Sequence, residues 1–139
     1  MKKVAFIFPG QGSQTIGMGK DFFENSELAK EMISKASERL GIDFEKLLFE
    51  ENENLGKTEF TQPAILLVSS IANAIFKEKC NITPEFVLGH SLGEFSALVS
   101  AGALDYLDAV ELVHRRGLFM TEACSGGGAG MMALVGIDD

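Results

Sequence analysis

An α/β layered fold with a mainly parallel sheet is what these 139 residues predict. Val4 to Phe8 is an unbroken apolar run without alternation, the pattern of a strand covered on both faces. A second such run, Phe86-Val87-Leu88, passes into Gly89-His90-Ser91-Leu92-Gly93, and helix-forming residues follow at once. Between and after these runs, apolar residues recur at helical spacing. Strands separated by helices pair in parallel, because a crossover is needed to bring the chain back to the same edge.

The elements follow in order. Pro9 to Gln14 is a glycine-rich turn that ends the first strand. From about Ser26 to Leu40, Leu28, Met32, Ile33, Ala36 and Leu40 share one helical face, and Gly41 stands where a left-handed cap belongs. Asp43 to Phe49 reads as a short helix, followed by a charged loop through Asn54. Thr61 is the predicted N-cap of a helix running to about Lys79, with Pro63 in its first turn and Ala64, Val68, Ile71 and Ile75 as its apolar stripe. After the second strand and its helix comes Gly102, and Asp105 caps a long helix reaching about Cys124. Gly126 to Gly130 reads as a hinge, and Met131 to Ile137 as another strand. Two strands before the hinge make a small sheet for this class, so the chain is expected to be the front part of something longer.

The turn at Ser91 carries the chemistry. Strand, sharp turn and helix with serine at the apex of Gly89-His90-Ser91-Leu92-Gly93 is the G-x-S-x-G nucleophile elbow. Two glycines equidistant from the serine let strand and helix backbones pass where a Cβ would clash. The serine then points out at a helix start whose free N–H groups face developing negative charge. Ser91 and Glu94 also fit a capping box, but that motif needs neither glycine and no strand before it.

Composition bounds the rest. A core is available, with 46% of residues apolar, and the formal charge of −8 argues against nucleic acid as a partner. Cys80 and Cys124 lie far apart and in no metal spacing, so they read as reduced thiols in a cytoplasmic protein. The apolar start stops at Pro9-Gly10, too short for a secretory signal. No stretch reads as long enough to cross a membrane.

Projected at about 100° per residue, the helix from Asp105 to Cys124 places Tyr106, Ala109, Val110, Leu112, Val113, Phe119, Met120, Ala123 and Cys124 on one arc. Arg115 falls opposite, with Glu111 one turn back as a partner. Arg116 falls inside the apolar arc. A guanidinium cannot shed its proton to escape burial, so it needs an anion. Helix geometry leaves two readings open: an ion pair with an internal Asp or Glu, or a fork for a substrate carboxylate bound bidentately.

Three segments together resemble one family. Phe8-Pro9-Gly10-Gln11-Gly12-Ser13-Gln14, Gly89-His90-Ser91-Leu92-Gly93-Glu94 and Arg115-Arg116-Gly117-Leu118-Phe119-Met120 stand in the order and spacing of the malonyl-CoA:acyl-carrier-protein transacylases of bacterial fatty-acid synthesis. Thr61-Gln62-Pro63-Ala64 and Gly130 to Gly136 are similar to further family segments, so the likeness runs the whole chain. The resemblance implies part of a three-layer, parallel-sheet, hydrolase-like acyltransferase domain over residues 1–125. It implies, over 126–139, the hinge and leading strand of a small ferredoxin-like subdomain whose remainder lies in a missing C-terminal half. It implies Ser91 as nucleophile, taking malonyl from coenzyme A and passing it to the phosphopantetheine thiol of acyl carrier protein, with no permanently bound cofactor and no metal. Gln11 and Leu92 match the residues whose backbone N–H groups form the oxyanion hole, worth about 3–4 kcal/mol each by analogy with hydrolases. Arg116 matches the arginine that pairs with the malonate carboxylate, and Gln62 a glutamine near the site.

Departures matter. Thr121 stands where relatives often carry glutamine, with little consequence expected. The family's histidine base lies well downstream of the nucleophile, past residue 139, and the only histidines here are His90 and His114. His90 directly precedes the serine and is expected to turn its ring away; His114 lies roughly 200° around the helix from Arg116. The segment alone is therefore expected to be inactive. A serine esterase or thioesterase shares the elbow but has no use for Arg116, and a non-catalytic module binding coenzyme A or carrier protein would fit the missing base. Gly56-Lys57-Thr58 lacks the first glycine of a phosphate loop, Gly10 and Gly12 lack the third of a dinucleotide fingerprint, and Asn81-Ile82-Thr83 is a sequon without meaning in the cytoplasm.

Overall fold

The computed structural model describes residues 3–127, 132 and 136. β1 (Ala5–Phe8) and β2 (Phe86–Gly89) pair in parallel, with Ala5 beside Phe86 and Phe8 beside Gly89. Helices α1 (Lys20–Asn25), α2 (Glu27–Leu40), α3 (Phe44–Phe49) and α4 (Thr58–Lys79) lie between the strands. α5 (Leu92–Ser100) and α6 (Tyr106–Cys124) follow β2. The strand expected over Met131 to Ile137, and most of the hinge before it, lie outside the described residues.

Local signals place most helix ends. Ser26 accepts from the Ala29 N–H at 3.4 Å, and Gly41, at φ 66°, closes α2. Asp43 accepts from the Lys46 N–H to start α3, and Asp105 accepts from the Leu107 N–H at 2.8 Å to start α6. α1 has no such signal and was not foreseen; it starts from Gly19 with no side-chain cap.

Thr61 is not an N-cap. α4 begins one turn earlier, at Thr58, and the buried Thr61 hydroxyl turns back onto the carbonyls of Leu55 (2.6 Å) and Lys57 (2.9 Å). Pro63 thus sits in the second turn of the helix, not the first. The buried face of α4 is wider than the expected stripe of Ala64, Val68, Ile71 and Ile75. Ala64 to Leu67 and Ser69 to Ile71 are all buried, because α2, α5 and α6 surround it. By length and composition this helix could cross a membrane, contrary to the expectation that no stretch could. More than half of its most apolar stretch is buried in the fold, as in a central core helix.

The sheet is covered on one face only among the described residues. Phe8 is buried, and Phe6 meets Phe76 of α4 edge-on with ring centroids 5.2 Å apart. On the opposite face Ile7 is 72%, Phe86 63% and Leu88 47% exposed. Among the described residues, then, β1 is covered on the Phe6 and Phe8 side alone. α6 buries a narrower stripe than the helical projection gave. Ala109, Val110, Val113 and Gly117 pack inward, while Leu112 and Phe119 stay exposed.

The strand-to-helix corner is fixed by backbone contact. A Cβ on Gly89 would lie 2.0 Å from the Gly93 carbonyl, and one on Gly93 would lie 2.2 Å from the Phe8 carbonyl oxygen. Gly93→Ala is expected to lower stability by about 3 kcal/mol or more. Gly56→Ala, in open space, should leave the unfolding midpoint nearly unchanged.

α2 and α6 are also tied by charge. Arg39 donates to Glu111 and to Asp108, each at 2.8 Å, while Arg115 takes the other Glu111 oxygen at 2.7 Å, the pairing expected for Arg115. The Arg39 hydrogen bond, aided by the charges of Arg115 and Arg39, holds the Glu111 carboxyl below the usual glutamate range. A depressed carboxylate contributes stability above its unfolded pKa and loses it as pH falls through the folded one. The stability gap between wild type and Glu111→Gln should be full at neutral pH, close below the ordinary glutamate range, and shrink in high salt.

Candidate active site

The tight corner forces Ser91 into φ 53°, ψ −108°, the one positive-φ residue other than glycine among the described residues. Such strain costs on the order of 1–3 kcal/mol and persists only where the surroundings impose it. Ser91 occupies the N-cap position of α5, yet its hydroxyl makes no capping hydrogen bond. The capping-box alternative is thus not realised, and the hydroxyl is exposed on a cavity of about 620 Å³. Gln11, Thr58, Gln62, His90, Met120, Thr121 and Cys124 line it with Ser91.

The β1 turn stands across from the elbow. Gly10 packs on His90, where a Cβ would come 2.5 Å from the histidine carbonyl oxygen. Within the turn, the Gln14 side chain accepts the Gly12 N–H at 2.8 Å, and Ser13 donates to the Gly10 carbonyl. The N–H groups of Gln11 and of Leu92, in the first turn of α5, donate no hydrogen bond to the described residues.

Arg116 is half-buried and pairs with no carboxylate among the described residues, so the internal ion-pair alternative is not realised. It donates to Gln62 Oε1 at 2.7 Å, and its guanidinium carbon stands 5.7 Å from the Phe95 ring centroid. Gln62, only 1% exposed, donates through Nε2 to Gln11 Oε1 at 3.2 Å, and Gln11 Nε2 donates to Thr58 Oγ1 at 3.2 Å. Arg116 itself lines an adjacent apolar cavity with Phe95, Leu112 and Phe119. Met120 is the wall common to both cavities. Ser91 and Arg116 thus lie on one side of the molecule, joined through Gln62 and Met120.

Neither histidine bonds to Ser91 among the described hydrogen bonds. His90 is among the residues lining the serine cavity, and its Nδ1 lies against Gly10, where a Cβ would come within 3.0 Å of it. His114 points at α4, with Nδ1 2.7 Å from the Glu59 carbonyl oxygen. Thr121, which stands where relatives often carry glutamine, donates to the Glu59 carboxylate at 3.0 Å. Thr58 was visible in the sequence only as the end of a failed phosphate motif, and nothing local marks it as the partner of Gln11.

Residues 5–138 match the acyl transferase domain family. The chain belongs to that family. It is 50% identical over 139 residues to the malonyl CoA-acyl carrier protein transacylase of Bacillus subtilis, and 45% identical to that of Staphylococcus aureus. Each match takes in 99% of this chain but 44% of the relative, so the chain spans less than half the length of the relatives it matches. The crystal structure of the Helicobacter pylori malonyl-CoA:acyl carrier protein transacylase superposes with a TM-score of 0.87 at 52% identity, over 90% of this chain and 41% of that one. A malonyl-transacylase in complex with its type II acyl-carrier protein superposes at 0.84 and 41% identity, over 88% of this chain and 40% of that one. The α/β class is that of these acyl transferase structures; the small ferredoxin-like subdomain lies outside the described residues.

Gln62→Leu keeps the volume but leaves the Arg116 donor and the Gln11 acceptor without partners in this acyl transferase domain. It is expected to cost about 1–3 kcal/mol in denaturant unfolding.

Proposed function

We propose that this chain is the N-terminal part of a malonyl-CoA:acyl-carrier-protein transacylase working through an acyl-serine. The observation that carries the reading is Arg116: a half-buried cation, held by a neutral amide and next to the cavity of a strained, uncapped serine. A plain esterase needs no such charge beside its acyl pocket, whereas malonyl brings a carboxylate to match it.

Ser91 Oγ attacks the thioester carbonyl, and its proton passes to a base. The oxyanion is received by the N–H groups of Gln11 and Leu92, and coenzyme A leaves as the thiol. The phosphopantetheine thiol of acyl carrier protein then attacks the serine ester, and Ser91 regains its proton. The base is a histidine beyond residue 139, in the rest of a longer, cytoplasmic protein. That remainder, beginning with a hinge and a small subdomain over residues 126–139, also covers the bare Ile7, Phe86 and Leu88 face. No cofactor or metal takes part.

In the complete protein, Ser91 should carry malonyl after mixing with malonyl-CoA, seen by mass spectrometry and abolished in Ser91→Ala. The segment alone should carry none; a malonyl adduct on it would show that the downstream base is dispensable. Arg116→Ala should lower malonyl transfer on the order of ten- to a hundredfold and spare acetyl transfer. Equal losses for the two acyl groups would sink the carboxylate role.

A further inference from the structure

Pro63 sits in the second turn of α4 and has no N–H, so the carbonyl of Glu59, four residues earlier, lacks its helical donor. His114 Nδ1 lies 2.7 Å from that oxygen. A carbonyl can only accept, so the nitrogen facing it carries the proton. The imidazole therefore replaces the hydrogen bond that proline removes.

The same face of α6 grips Glu59 twice more. At Gly117 the helices touch so closely that a Cβ would lie 2.6 Å from the Glu59 Cα. One turn on, Thr121 donates to the Glu59 carboxylate at 3.0 Å. His114, Gly117 and Thr121 form one stripe along α6, at spacings of three and four residues. The first turn of α4 that they hold carries Thr58, which receives Gln11, and is followed by Gln62, which receives Arg116.

We propose that His114 is a positioning residue for acyl selectivity: by capping the Glu59 carbonyl it keeps the start of α4 in register with α6, so that Gln62 can aim Arg116. The selectivity part rests on the function proposed above; the contact itself does not. His114 touches neither Ser91 nor an acyl group and takes no part in proton transfer.

The test uses the complete protein and four changes. His114→Leu removes the donor, and His114→Asn returns an N–H at the same distance along the side chain. Pro63→Ala restores the helical N–H to Glu59, and the double variant combines Pro63→Ala with His114→Leu. His114→Leu should lower kcat/KM for malonyl-CoA about three- to tenfold, chiefly through KM, and leave acetyl-CoA unchanged. Asparagine should recover most of the loss, and in the Pro63→Ala background His114→Leu should change little. Nitrogen-15 NMR of the wild-type ring should show a proton on Nδ1. A neutral ring protonated only at Nε2 would overturn the contact. Equal losses for malonyl and acetyl, or a loss undiminished beside Ala at 63, would overturn the positioning role. If wild type shows no malonyl preference, the selectivity claim falls with the proposed function, and the ring tautomer still decides the contact.

Discussion

Everything in the site hangs from one close approach of backbones, where Gly93 of α5 meets the carbonyls of Phe8 and Pro9 and turns its own carbonyl against Gly89. No side chain could stand there, so the end of β1, the end of β2 and the first turn of α5 are locked together. Two results follow from the same contact. Ser91 is forced into a conformation that only an imposed corner sustains, and its hydroxyl is kept off the helix cap it would otherwise take. The β1 turn is also brought against the elbow, so that the turn carrying Gln11 N–H and the helix start carrying Leu92 N–H are held by one joint. The turn is closed internally by Gln14 and Ser13, and its Gln11 N–H donates to none of the described residues.

The second frame is the α4–α6 pair, the most extensive helix contact in the fold. It is built by the same means, a glycine at the crossing, but finished with polar groups. Pro63 opens a gap in α4's hydrogen bonding where α6 presents His114, and Thr61 closes the turn before it from inside. The charged pairing of Arg39 with Glu111 and Asp108 ties α2 to the solvent side of α6 and leaves the inner side to Arg116. The elbow thus carries the serine to one cavity and α6 carries the cation to the adjacent one, with Met120 as their common wall.

Much of this was legible, and the boundary is physical. Elements set by local chemistry could be read: the Gly41 and Asp105 caps, the elbow, the Glu111–Arg115 pair. So could Arg116, because a cation at an apolar helical position is anomalous without any tertiary knowledge. What the sequence concealed depends on residues far apart. The start of α4 looks like Thr61 because a threonine before proline has the form of a cap. In the fold the proline sits a turn deeper, and His114 meets the Glu59 carbonyl that it leaves without a helical donor. The bare sheet face and the exposed Phe119 and Leu112 escaped for the opposite reason: an apolar pattern records what a face needs, not which residues meet it.

The amide chain from Arg116 to Thr58 has a direction, and the cation sets it. A guanidinium only donates, so Gln62 must turn Oε1 toward it and Nε2 away. That orientation obliges Gln11 to offer Oε1 to Gln62 and Nε2 to Thr58. Had a glutamate stood at 62, Arg116 would be neutralised and the next link would meet an acceptor instead of a donor. A glutamine holds one edge of the guanidinium, leaves its charge uncompensated, and carries its orientation across to the β1 turn. The residue best placed to hold an acid group is thereby coupled to the turn that carries the Gln11 N–H, through neutral groups whose polarity admits one arrangement.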